Sequence, residues 1–128
     1  MIIKGLEFSK SYDFAKFLDK HKKTQIFDMS LFVSKRHIEH CAQQALKAFV
    51  QNRNISKSVE MEFLLCLTGE KQVKNALKKA QVKKKGVFVS WDSSWNEFKQ
   101  QFKFKEIQLK DKPDLDAIQK SATFWIHS

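Results

Sequence analysis

The sequence predicts a single α/β domain, in which about four strands form one sheet with helices packed on it. Three observations support this fold class. The chain has 128 residues, which is enough for one hydrophobic core and too short for two ordinary domains. It contains only three Gly and one Pro, which disfavours a turn-rich all-β sandwich. Segments with strand-like patterns alternate with segments whose apolar residues repeat at helical spacing.

The elements follow from this periodicity and from capping residues, and the whole chain, 1–128, reads as one unit without linkers or repeats. Strands are predicted over 1–8, 25–33, 86–91 and 105–109. Helices are predicted from a cap at Ser9 or Ser11 to about 20–23, over 35–52 after Ser34, over 70–82, from a cap at Asp92 or Ser93 to 102, and over 114–126.

Two of these helices are amphipathic. The apolar face of helix 35–52 comprises Ile38, Cys41, Ala42, Ala45, Leu46, Ala48 and Phe49. The apolar face of helix 70–82 comprises Val73, Ala76, Leu77 and Ala80. The apolar face of helix 35–52 is predicted to lie in the core, and the apolar residues of helix 70–82 are predicted to project on one side, opposite its lysines.

Residues 57–67 are ambiguous. Val59, Met61, Phe63 and further odd-numbered apolar residues alternate as in a strand, but Leu64 and Cys66 break the alternation. The pattern predicts a buried element of either kind, and Gly69 ends it.

The formal net charge of +10 indicates a partner that is a phosphate polymer or an acidic protein surface. Lys71, Lys74 and Lys78 fall on one side of helix 70–82 and can follow a phosphate backbone. The polar segment 52–58 can contact single-stranded RNA. A solvated lysine face, with no ligand, explains the same charges.

The sequence gives little support for catalytic or metal-binding chemistry. No hydrolase elbow, phosphate-binding loop or dinucleotide fingerprint occurs, and no cofactor or small-molecule substrate is indicated. His37, His40 and Cys41 lack a fourth ligand for zinc. Cys41 and Cys66 read as buried thiols in a reducing, intracellular setting. No apolar run approaches the ~18 residues of a membrane span.

The segment 57–77 resembles the PRPK-binding protein family, to which TPRKB and its archaeal and fungal relatives belong. The resemblance rests on Lys57-Ser58, Glu62-Phe63-Leu64-Leu65, Thr68-Gly69, Lys71-Gln72-Val73 and Ala76-Leu77. Weaker matches occur at 35–38, 42–45 and 118–122, so the resemblance covers most of the chain. It implies that 57–67 is a helix.

The resemblance also implies a function. The family belongs to the KEOPS complex, which makes threonylcarbamoyladenosine in tRNA. Its members bind and stimulate the kinase-like subunit, have no chemistry of their own, and in archaea hold the single-stranded CCA end of the tRNA. A cytoplasmic location is expected, with a nuclear one also if the source is eukaryotic. A protein adaptor without RNA binding remains the alternative.

The site residues follow from the same resemblance together with the lysine stripe. The residues expected to contact RNA are His37, Lys57, Lys71, Gln72 and Lys74. The residues expected to contact the kinase-like subunit are Glu62 and Phe63 on the helix 57–67, and Ile118, Ala122 and Trp125 on the terminal helix.

Overall fold

The computed structural model describes residues 1–54, 56–92 and 94–112. Its strands are β1 (Ile2–Glu7), β2 (Thr24–Asp28), β3 (Lys85–Ser90) and β4 (Lys105–Ile107). Its helices are α1 (Ala15–Lys20), α2 (Lys35–Val50), α3 (Val59–Thr68), α4 (Val73–Ala80) and α5 (Trp95–Gln101). A short 3₁₀ helix, Met29–Leu31, follows β2.

The four strands form one antiparallel sheet in the order β2-β3-β1-β4. Gly5 on β1 pairs with Val87 on β3 and with Ile107 on β4, which fixes the register around the central strand. The predicted α/β class, with a four-stranded sheet and helices packed on it, is confirmed.

The sheet carries helices on both faces. Phe27, Val87 and Val89 point into a core cluster shared with α2, α3 and α4. Ile26 and Phe88, one position along the same strands, belong to a second cluster with α1 and α5. Because successive side chains of a strand point to opposite faces, the apolar runs of β2 and β3 fill both clusters.

Strand β2 lies at one edge of the sheet, yet all five of its residues are buried. Helices α3 and α4 contact it. The backbone N–H of Ile26 donates to the side-chain Oε1 of Gln25 at 3.1 Å. This edge is therefore covered and partly saturated, as edges that avoid pairing with other chains usually are.

The second strand is shorter than the predicted 25–33. It ends at Asp28, whose Oδ2 accepts hydrogen bonds from the backbone N–H and the hydroxyl of Ser30 at 3.1 and 2.6 Å. This cap starts the 3₁₀ helix, so the apolar residues that follow Asp28 leave the sheet.

Two predicted helix caps are wrong. Neither Ser9 nor Ser11 caps α1, which begins at Ala15, where the backbone N–H donates to Asp13 Oδ1 at 3.0 Å. Helix α5 starts after Ser94, so Asp92 stands before the cap and accepts from Ser94 N–H at 3.0 Å. The alternative cap, Ser93, lies outside the described residues.

Helix α4 starts at Val73 instead of Glu70. Gly69 ends α3 with φ of +72°, the left-handed conformation that favours glycine, and the chain turns before α4 begins. Lys71 and Gln72 therefore precede the helix, so the predicted stripe of Lys71, Lys74 and Lys78 does not lie on a single helix.

Segment 57–67 is helical, as the resemblance implied. Ser58 caps α3 by accepting the Met61 N–H at 3.4 Å, and Ser34 caps α2 by accepting the His37 N–H at 2.9 Å. Residues 62–67 are all buried, because α3 is enclosed by α2, α4 and β2. A helix that is apolar all round shows no helical period, which explains the misleading alternation.

The predicted terminal helix over 114–126 lies outside the described residues, together with Ile118, Ala122 and Trp125. In the part of the chain that the structure describes, no helix has the length and apolar character needed to cross a membrane.

Candidate nucleic-acid interface

A groove of about 930 Å³ lies between α1, the start of β2 and the first turn of α3. We call it the Lys57 groove. Its walls include the apolar side chains Leu18, Leu46, Met61 and Leu77. Three cations, Lys22, Lys23 and Lys57, also line it.

Two smaller grooves continue the Lys57 groove along α4. The Lys74 groove, of about 630 Å³, shares Ala15, Leu18, Gln25 and Leu77 with it. The Lys83 groove, of about 560 Å³, shares Ser11, Lys78, Gln81 and Val82 with the Lys74 groove. Neighbouring grooves thus share lining residues, and we call the three together the basic channel.

Trp91 lines the Lys57 groove. Hydrogen bonds made by its own backbone and by neighbouring residues fix its position. Its backbone N–H donates to Lys23 O at 2.8 Å. Beside it, Ser90 Oγ donates to Asp92 Oδ1 at 2.7 Å, and Thr24 Oγ1 bonds to Ser94 Oγ at 2.7 Å. The Trp91 ring meets Phe63 edge-on, with centroids 5.1 Å apart. The indole is therefore preorganised at the groove.

The pKa of Asp92 reflects the same polar cluster. Burial alone would raise this pKa, but hydrogen bonds from Ser90, Ser94 and Thr24 outweigh it and hold the pKa below its usual value. Asp92 is thus ionised at neutral pH, and its charge is stabilised by donors on both sides of Trp91.

Lys57 lies in a loop that hydrogen bonds hold against the start of α3. Glu62 on α3 is fully buried and accepts a short hydrogen bond from the Ser56 N–H. Ser56 Oγ donates to Ser58 O at 3.0 Å, immediately before α3. These bonds hold the backbone on both sides of Lys57, whose own side chain is exposed.

The charges in the Lys57 groove are mixed. Asp19 and Glu60 also line it, and Lys22 Nζ pairs with Asp19 Oδ1 at 3.0 Å. Within the described ranges, neither Lys23 nor Lys57 makes a salt bridge. Two ammonium groups thus remain to attract an anion to this groove.

The structure brings some of the predicted RNA residues together. Lys57 lines the first groove and Lys74 the second, and the two grooves share lining residues. Lys71 and Gln72 are exposed beside the start of α4 but line none of the three grooves. Gln72 Oε1 instead accepts from Asn75 Nδ2 at 3.3 Å.

His37 does not join this set. It is only 2% exposed on α2, and its Nε2 lies 3.6 Å from Cys41 Sγ. The expectation that His37 stands beside Lys57 at a ligand is therefore not met. A signal for its burial was present in the sequence, because His37 precedes Cys41 by four residues and so shares the apolar face of α2.

Glu62 and Phe63, expected to contact a protein partner, are both fully buried. Glu62 holds the Ser56 loop, and Phe63 packs between Phe27 and Trp91. Neither has an exposed surface to offer a partner. Both residues act in the structure by supporting the Lys57 groove from inside.

Leu46 was expected in the core and Leu77 on the apolar side of its helix, but they are 47% and 49% exposed, and both line the Lys57 groove. Helical periodicity assigned them to apolar faces correctly, but it could not show that those faces extend beyond the core. Lys23 and Trp91 are groove residues that sequence reasoning missed, because they reach the groove through the pairing of β2 with β3.

No group of three or more His, Cys, Asp or Glu side chains that could hold a metal ion occurs among residues 1–54, 56–92 and 94–112. What the described surface offers is a channel of apolar walls and cations, which suits binding better than proton or metal chemistry.

A sequence model of the kinase binding protein CGI-121 family matches residues 9–121. The chain belongs to this family. This is the family of TPRKB-like KEOPS subunits that the residues of segment 57–77 indicated, so the predicted family is confirmed. The match includes α1 to α5, β2 to β4 and all three grooves. No curated protein sequence shows significant similarity to the chain.

Membership of the CGI-121 family supports the kinase-binding part of the expected function.

Proposed function

We propose that this CGI-121 protein is a non-catalytic accessory subunit of the KEOPS complex. In this role it binds and stimulates the kinase-like subunit and holds the 3′ CCA end of the tRNA in the Lys57 groove. The kinase part of the proposal is supported by the family match. The RNA part is supported by the groove itself.

The observation that carries the RNA part is the combination of side chains in one groove. Leu18, Leu77 and Trp91 offer apolar and aromatic surface, and Lys23 and Lys57 offer ammonium groups that make no salt bridge with a described residue. Single-stranded RNA has unstacked bases that bind such surface and phosphates that bind cations. Duplex RNA cannot use the apolar walls, because its bases are stacked inside the helix.

A second candidate function is a protein adaptor without RNA binding. It is favoured by Asp19 and Glu60, which line the same groove and reduce its positive potential. In that case the groove would receive a side chain or segment of the kinase-like subunit.

One pair of measurements distinguishes the two candidate functions. The first is co-purification with the kinase-like subunit. The second is fluorescence anisotropy with a short labelled single strand ending in CCA, titrated at several salt concentrations. The proposal predicts both kinase and RNA binding. Kinase binding without RNA binding would favour the adaptor function. If the protein binds neither the kinase-like subunit nor the RNA, both candidate functions are contradicted.

Lys57→Gln sharpens the test. It should weaken binding of the single strand and lower the slope of log affinity against log salt by about 0.7, the contribution of one phosphate contact in single strands. Lys47→Gln is the matched control, because Lys47 is exposed on α2 and lines none of the grooves. An equal effect of the two substitutions would contradict a site at the Lys57 groove.

A further inference from the structure

The Lys83 groove, at the far end of the basic channel, differs in chemistry from the Lys57 groove. Lys78, Lys79 and Lys83 line it together with the hydroxyl-bearing Ser11 and Ser30. Among the residues that the structure describes, Val82 is its one apolar lining residue and no aromatic ring lines it. It therefore offers charge and hydrogen bonds but no surface on which a base could stack.

Two of its lysines are free to bind an anion. Lys79 pairs with Glu70, whereas Lys78 and Lys83 make no salt bridge with any residue that the structure describes. Both side chains are exposed. The groove thus has two lysines that make no salt bridge among the described residues, although the Lys83 charge also helps to lower the pKa of Asp28.

Asp28 is the acid that lines the Lys83 groove, and its charge is already stabilised within the protein. Burial would raise the pKa of Asp28, but hydrogen bonds from Ser30 and from the Lys83 backbone outweigh it and lower the pKa. Its Oδ1 accepts the Lys83 N–H at 3.1 Å, and its Oδ2 is used by Ser30. Asp28 therefore fixes the loop that carries Lys83.

The channel leads from the Lys57 groove to this loop along α4. Lys74 and Lys78 are four residues apart, so their side chains lie one above the other on the same face of the helix. Along this path the apolar walls of the first two grooves give way to a lining that is mostly lysines and other polar side chains. The chemistry changes from one that suits unpaired bases and phosphates to one that suits phosphates only.

We infer that the Lys83 groove, with Lys78 and Lys83, binds the phosphate backbone of the duplex stem that adjoins the single-stranded 3′ end. Duplex RNA presents phosphates while its bases are stacked inside, and it is recognised through shape and backbone contacts. This inference rests on the proposed function, since the stem is placed at the Lys83 groove by its distance along the RNA from a 3′ end held in the Lys57 groove. The two grooves together would then read the junction between duplex and single strand.

The test compares two RNAs. One is a stem-loop whose duplex ends in a single-stranded CCA, and the other is the isolated single strand. Lys78→Gln combined with Lys83→Gln should weaken binding of the stem-loop roughly tenfold near 0.1 M salt. It should also reduce the salt slope by about 1.8, because each duplex phosphate contact contributes about 0.9. Binding of the isolated single strand should not change.

The control is Lys47→Gln combined with Lys99→Gln, which removes the same charge from exposed positions outside the basic channel. It should leave both affinities within about twofold of the wild type. An unchanged affinity for the stem-loop in the Lys78/Lys83 variant would overturn the inference, as would an equal loss for both RNAs.

Failure of the proposed function looks different. If the wild-type protein binds neither RNA, the proposed function and this inference fall together. If it binds the stem-loop but not the single strand, and the Lys78/Lys83 variant loses that binding, the duplex contact stands while the CCA site falls. Thermal unfolding of each variant shows whether the substitutions leave the fold intact.

Discussion

Glu62 is a charged residue within the most apolar helix of the domain, and its carboxylate serves the backbone of the Lys57 loop. Glu62→Ala would leave the buried Ser56 N–H without an acceptor. We expect the free energy of unfolding to fall by about 2–3 kcal/mol, since an unsatisfied buried donor costs about 1–3 kcal/mol and the side chain also loses its packing. Urea denaturation measures this change.

Glu62→Gln is the matched variant, because the amide oxygen can still accept the Ser56 N–H. Its free energy of unfolding should differ from that of the wild type by less than about 1 kcal/mol. An equal loss in both variants would show that the carboxylate charge, and not the hydrogen bond, stabilises this loop.

Asp28 gives the protein a defined response to acid. Its pKa is lowered in the folded state by hydrogen bonds that outweigh burial. A lowered pKa contributes stability that is present above the unfolded value of about 3.9, and this stability is lost as the pH falls through the folded value. We therefore expect the free energy of unfolding to decrease below about pH 4.

Asp28→Asn removes this titration, so its free energy of unfolding should fall less steeply over the same acid range. Urea denaturation at a series of pH values measures the two slopes. Asp92, whose pKa is lowered by a separate cluster, still titrates in this variant and accounts for part of the remaining slope. Identical slopes would mean that the bonds to Ser30 and Lys83 do not survive in solution.

At the scale of elements, α3 joins the core to the channel. Phe63 is fully buried and its ring contacts both Phe27 on β2 and Trp91 at the Lys57 groove. We expect Phe63→Ala to lower the free energy of unfolding by about 3–5 kcal/mol, the usual range for removing a buried ring. Denaturant unfolding, checked against far-UV circular dichroism, measures this loss.

Phe63→Leu keeps most of the buried volume and should lower the free energy of unfolding by only about 1–2 kcal/mol. Because this variant stays folded, it also tests the original expectation that Phe63 contacts a partner. Unchanged co-purification with the kinase-like subunit is expected for a core residue, whereas lost co-purification in a folded variant would contradict it.

Most elements could be predicted from the sequence because their patterns are local. The amphipathic period of α2, its cap at Ser34, and Gly69 after α3 all depend on neighbouring residues. The caps of α1 and α5 and the start of α4 were misplaced by a few residues, and the larger errors arose where a distant contact decides the outcome. Asp28 ends β2 through a cap that also binds the Lys83 backbone, and α3 loses its helical period because other elements enclose it.

The candidate site could likewise be predicted from the sequence only in part. Lys57 and Lys74 could be selected from segment 57–77, and both line the channel. Trp91 and Lys23 could not, since they meet only when β2 pairs with β3. His37 was misjudged because its polar side chain outweighed its position on the apolar face of α2.

At the scale of the whole molecule, the lysines that give the formal charge of +10 fall into those with and those without a salt bridge. Lys4, Lys20, Lys22, Lys79 and Lys85 pair with acids. Lysines without such partners in the described chain include Lys57, Lys74, Lys78 and Lys83, and these line the basic channel. Other lysines without a salt bridge among the described residues, such as Lys47 and Lys99, lie outside the channel, so the channel adds apolar surface to a charge that the whole protein carries.

The most direct test of the proposed role is the affinity for one tRNA with and without its terminal CCA. Each stacked base contributes about 1–3 kcal/mol, and 1.4 kcal/mol is tenfold in affinity. Removal of the three nucleotides should therefore weaken binding at least tenfold at fixed salt. Equal affinities for the two tRNAs would contradict the claim that this protein holds the 3′ end.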